Sequence, residues 1–110
     1  MKKKQSFVAN LQTRVATKLA RLVKKQMHKE KLVITLTTRK CDFLDETEDE
    51  DGMSELDTFV NLLNYWTDLE LTPSQLTVEE AATFETFGNF VDYIIANADV
   101  ASFLRRYCFD

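Results

Sequence analysis

Leu56, Phe59, Val60, Leu63 and Trp66 recur at three- and four-residue steps, the spacing that gathers apolar side chains on one face of an α-helix. Such a face has to be covered by other elements. The chain has only two glycines and one proline to punctuate its 110 residues, which favours long helices with short connections over a turn-rich β fold. One domain of this length buries a core without disulfide or metal staples. Apolar residues make up 45% and charged residues 29%, an ordinary balance for a soluble globular protein. No apolar run approaches the roughly 20 residues that span a bilayer. The first lysines lead into no apolar core or cleavage pattern of a secretory signal, so a cytoplasmic location is the expectation.

Charge divides the chain. Residues 1–40 hold 12 lysines and arginines against one acid, a balance of +11. Residues 41–110 hold two arginines against 17 acids, a balance of -15, and the two halves together give the net charge of -4. That polarity bears on partners and on contacts within the molecule. Residues 5–29 read as a long helix with Phe7, Val8, Leu11, Val15, Leu19, Leu22, Val23 and Met27 on one stripe. Arg14, Lys18, Arg21, Lys24, Lys25 and Lys29 cover the rest. A basic amphipathic helix of this kind packs its stripe on the domain and solvates its lysines, binds an acidic protein or nucleic acid, or lies on a membrane surface, although no tryptophan marks its apolar face.

Residues 32–38, LVITLTT, alternate in a β-branched pattern. With no second good strand candidate to pair with, an extended connection over the core is preferred. Residues 42–52, DFLDETEDEDG, read as an acidic, solvated loop. A calcium loop with Gly52 in sixth place would need carboxylates at Thr47 and Thr58, so that motif fails. Cys41 and Cys108 have no CxxC spacing, and His28 is the only histidine; no metal site, nucleophile–base arrangement or enzyme active site is expected.

Helix starts are marked by capping pairs. Ser54 with Asp57 opens the helix over 55–67, and Glu55 and Asp57 suit the positive end of its dipole. Thr72, Pro73 and Gln75 form a second start and Thr77 with Glu80 a third. A closing helix begins near Thr86 and buries Phe87, Phe90, Val91, Ile94 and Ile95. Residues 99–107 add a last turn or two with Val100, Phe103, Leu104 and Tyr107 inward, and Arg105 and Arg106 at the end that favours cations. The expected core sets Leu19, Leu22 and Val23 against Phe59, Leu63, Phe90 and Ile94.

GMSELDTFVNLL, DLELTPSQL, LTVEEAATFETF and TFGNFVDYI, covering residues 52–95, resemble in order and spacing the acyl and peptidyl carrier proteins. Their corresponding segments are G-x-D-S-L-x-x-x-x-L, I-x-I-P-x-x-x-L, the connection after it, and T-V-x-x-L-x-x-Y-I. The resemblance implies an all-α, carrier-like bundle of about four helices in one domain over 1–110. That domain would comprise a long basic amphipathic helix over 1–31, an extended and acidic loop over 32–54, and the remaining helices over 55–110. It also implies a non-enzymatic carrier of acyl or aminoacyl thioesters in lipid or secondary-metabolite biosynthesis, with phosphopantetheine joined to a serine at the start of the second helix. A helix N-terminus stabilises the phosphate of such an arm.

This chain departs from the family at that residue. With Leu56 matched to the leucine after the serine, Glu55 occupies the serine's place and Ser54 that of the preceding aspartate. A carboxylate cannot take the arm. Ser54 either carries it one residue away or serves only as the N-cap. Glu55, Asp57 and Asp68 are the expected docking carboxylates for basic surfaces of biosynthetic enzymes or of a phosphopantetheinyl transferase. In the alternative reading the bundle has no arm and binds an acidic protein or nucleic acid through Lys18, Arg21 and Lys25. In a third, the charged halves satisfy one another within or between copies.

Overall fold

The computed structural model describes the backbone of residues 2–106 and the side chains of residues 10–106. These residues are helical, with six helices in place of the expected four or so. Three are long: α1 (Lys2–Gln26), α3 (Glu55–Trp66) and α5 (Phe87–Asn97). Three are short: α2 (Lys40–Phe43), α4 (Val78–Ala82) and α6 (Val100–Arg105), and a 3-10 turn covers Leu69–Leu71. Helix α1 packs along α5 and α6, while α3 packs against α4 and the 3-10 turn.

Helix α1 stops three residues before the expected end. His28 takes a left-handed conformation (φ 59°), and the Lys29 N–H reaches back to the Lys24 carbonyl at 2.8 Å. This six-to-one closure usually uses glycine in the left-handed position, so the sequence carries no sign of it. Asp68 (φ 60°) also takes the left-handed conformation just after α3. Within α1, Val15, Leu19, Leu22 and Val23 are buried, and Leu11 and Met27 pack partly against them. Phe7 and Val8 lie outside the described side chains, as Tyr107 and Cys108 lie outside the described residues.

All five residues of the α3 stripe are buried, as are Phe87, Phe90, Val91 and Ile94 of α5, with Ile95 partly covered. The two helices meet through aromatic rings set edge to face. Phe90 lies 4.9 Å from Phe59, 4.9 Å from Phe84 and 6.2 Å from Phe43, centroid to centroid. Phe43 in turn contacts Phe59 and Phe87 at 5.6 and 5.3 Å. This arrangement aligns ring edges with ring faces and adds about 0.5–1.5 kcal/mol per pair beyond burial.

The same cluster explains a correction. The loop expected across 42–52 begins instead as α2, because Phe43 and Leu44 are pulled into the core at 1% and 3% exposure. Residues 32–35 have no regular secondary structure, Thr35–Thr38 closes a turn, and Arg39 and Thr86 form an isolated antiparallel bridge. Thr38 and Leu36 carbonyls accept the N–H groups of Phe87 and Gly88 at 2.8 and 2.9 Å. A second correction concerns Thr72–Pro73, which starts no helix. The Thr72 hydroxyl donates to the Leu69 carbonyl at 2.9 Å and accepts the Ser74 N–H at 3.1 Å, closing a turn. The third start is real: Thr77 accepts the Glu80 N–H at 3.1 Å and opens α4.

Gly88 lies where α5 meets the 36–38 turn. A Cβ there would lie 2.7 Å from the Leu36 carbonyl oxygen, a backbone atom that cannot swing away. Glycine-to-alanine in a helix ordinarily gains up to about 1 kcal/mol, but here the overlap wins. Gly88→Ala is expected to destabilise the protein by about 1–3 kcal/mol, read as a lower urea midpoint with unchanged slope.

Candidate functional site

The expected attachment site is built around the N-terminus of α3. Ser54 is half-buried and holds the N-cap in an extended conformation. Its hydroxyl donates to an Asp57 carboxylate oxygen at 2.9 Å and accepts the Asp57 N–H at 3.4 Å. The same carboxylate oxygen accepts the Ser54 N–H at 2.8 Å, completing a capping box. Both hydrogen-bonding roles of the hydroxyl are thus taken up locally. Glu55, in the family's serine position, faces Lys29, three residues beyond α1, across 2.9 Å and accepts the Asp45 N–H at 2.6 Å. It ties the acidic half to the basic half.

The other expected contact residues are also engaged. Asp68 pairs with Arg106 beyond α6. Lys18 directs its ammonium at the C-terminal carbonyls of α6, including Phe103 at 3.5 Å and Leu104 at 2.5 Å, and also at Arg106. A cation there complements the negative end of the helix. Arg21 and Lys25 are exposed on α1 and have interactions of their own. The structure brings Ser54, Glu55 and Asp57 together on one helix turn, places Asp68 beyond the far end of that helix, and sets Lys18, Arg21 and Lys25 on α1.

Sequence reasoning missed Lys40. It is only 8% exposed, and its ammonium donates to the carbonyls of Ala81 and Ala82 at 3.3 and 2.7 Å, with Glu46 at 3.5 Å. A lysine is rarely buried without such partners. It anchors α2 to the C-terminus of α4. No local pattern marks it, because its acceptors are about 40 residues away.

Three aspartates of this region, Asp45, Asp57 and Asp68, titrate low. Asp57 is held below the usual carboxylate range first by the Ser54 N–H and then by the Ser54 hydroxyl. Asp45 is held down chiefly by the Thr47 N–H, and Asp68 by Arg106. Groups depressed in the folded state contribute stability above their unfolded pKa, about 3.9 for aspartate, and lose it as pH falls through the folded value. The melting temperature is therefore expected to hold above about pH 5 and to fall as pH drops through 4 and below. In Asp57→Asn the fall should be shallower, which melts at stepped pH would measure.

Among the described residues no group of three or more histidine, cysteine, aspartate and glutamate side chains is placed to hold a metal ion, and no helix is long and apolar enough to cross a membrane. Comparisons with family models, with curated proteins and with solved structures returned no match. The carrier resemblance thus stands on the residues of 52–95 alone.

Proposed function

We propose that this chain is a carrier-shaped, non-enzymatic interaction module that works without a phosphopantetheine arm and binds an acidic partner through the basic face of α1. One observation carries the reading: the Ser54 hydroxyl, the nearest group able to take the arm, is spent on both sides of the α3 capping box. The order of elements, long helix, connection, central helix, short helix and closing helix, supports a carrier-like shape. The exposed Arg14, Arg21 and Lys25 of α1 support the docking role.

The second reading keeps the arm on Ser54. It is favoured by the position of that serine, partly exposed at the N-terminus of a 12-residue helix, where a phosphate is stabilised. Intact mass separates the two. After incubation with coenzyme A and a broad-specificity phosphopantetheinyl transferase, the mass is expected to stay unchanged. An added arm that disappears in Ser54→Ala would replace the proposal with a carrier having a displaced site. The salt dependence of partner binding is the companion measurement, since exposed charge contacts weaken as ionic strength rises.

A further inference from the structure

Around the axis of α1 the described side chains divide into three arcs. Val15, Leu19, Leu22 and Val23 face the core. Thr13, Ala16 and Thr17 occupy a second arc and line a groove whose other wall is Thr35, Leu36 and Thr37. Arg14, Arg21 and Lys25 form a third arc, exposed beside that groove. At about 100° per residue the third arc adjoins the second on the side away from the core. The groove wall on α1 is made of small side chains, and half-buried Leu36 gives the opposite wall an apolar surface.

We infer that the groove between α1 and the Thr35–Thr37 turn seats an acidic amphipathic helix of a partner protein, with its carboxylates against Arg14, Arg21 and Lys25. The inference rests on the docking role proposed for α1 and names its occupant. Small residues at 13, 16 and 17 let a helix backbone come close, and leucine-sized side chains of the partner cover Ala16 and Leu36. The cations recur after seven and four residues, about 10 and 6 Å along the axis. Acids spaced seven and four apart on a partner helix lie on one face at the same intervals. Charge complementarity also selects against a long polyanion. Residues 41–110 carry a balance of -15, which repels an extended phosphate chain, whereas a short helix meets the basic arc alone. An oligonucleotide would also leave the apolar walls of the groove uncovered.

The test uses the full chain and a labelled peptide of about eighteen residues, with leucines on one helical face and glutamates beside them. Three further probes accompany it: a scrambled peptide of the same composition, a polyglutamate of equal charge, and an oligothymidylate. The amphipathic peptide is expected to bind at least about tenfold more tightly than each of the others, a difference of about 1.4 kcal/mol. Thr17→Gln, at an exposed position in the groove, should weaken that peptide about fivefold or more while leaving polyglutamate binding unchanged. Arg14→Glu should weaken both. Unchanged melting temperatures would show that each variant remains folded.

Equal binding of the scrambled peptide or polyglutamate, or indifference to Thr17→Gln, overturns the inference but leaves a basic docking face. Tighter binding of the oligothymidylate overturns it in favour of nucleic acid. Failure of every anionic probe overturns both the inference and the docking role beneath it. Concentration-dependent self-association lost in Thr17→Gln would assign the groove to a second copy of the chain.

Discussion

Phe90→Ala is expected to lower stability by about 3–5 kcal/mol, the range for truncating a fully buried phenylalanine. The ring is completely buried and touches three others, on α2, α3 and the segment before α5. Alanine would leave a cavity among Phe43, Phe59 and Phe84, three rings whose edge-to-face arrangement depends on the missing one. Collapse into the space is opposed because each is also held by a separate backbone element. For a domain with total stability of about 5–15 kcal/mol, the loss takes away from about a fifth to the whole of it. The melting temperature should fall by more than about 10 °C. Phe90→Leu, which keeps most of the volume, should lose markedly less. Urea titrations of both variants give the comparison, and equal losses would show that ring geometry rather than volume dominates.

Asn64→Leu is expected to cost about 1–5 kcal/mol although it makes the core more apolar. Asn64 is buried, and its amide donates to the Leu76 carbonyl at 2.9 Å and accepts the Leu76 N–H at 2.8 Å. One side chain thereby satisfies both backbone groups of a residue that is itself buried. Leucine gains about 1 kcal/mol of transfer energy but strands two backbone groups, each costing about 1–3 kcal/mol. The orphaned groups win. Hydrogen exchange gives a direct readout, because the Leu76 amide should lose protection while the amides of α3 keep theirs. Retained protection at Leu76 would mean that another acceptor takes over.

These two positions illustrate how differently the fold could be read. Phe90 was legible, since it belongs to a periodic apolar stripe and any helix with that stripe buries it. Asn64 was not, because a mid-helix asparagine reads as a surface residue until Leu76 is brought beside it. The starts of α3, α4 and α5 were legible for the same reason as the stripes. Ser54 with Asp57, Thr77 with Glu80, and the helix after Thr86 all act within four residues. At Thr86 the expected start is realised with Asn89, whose side chain accepts the N–H groups of Glu85 and Thr86 at 2.8 and 3.0 Å.

The misread places depended on distant neighbours. Pro73 follows a good capping threonine, yet Asn64 holds Leu76 and the hydroxyl of Tyr93 donates to the Ser74 carbonyl at 2.5 Å. Those contacts fix 72–76 as a connection. The residues around α2 looked like a solvated acidic loop because charge outnumbers apolar side chains there. Its formation follows from Phe43 entering the aromatic cluster and Lys40 reaching α4. Helices α1 and α3 run into left-handed His28 and Asp68, where no glycine announces a stop.

The candidate site divides along the same line. Ser54 as an N-cap is a local fact, and the sequence by itself determined it together with the helical class, the core stripes and the separation of charge between the halves. Only the tertiary structure decided what the charged side chains do. Lys29 meets Glu55, Arg106 meets Asp68, and Lys18 and Lys40 turn to the carbonyl ends of α6 and α4. Helix periodicity and capping act over one or two turns, so residue order encodes them directly. A charge on a long, flexible side chain finds its partner only after packing has brought separate elements together.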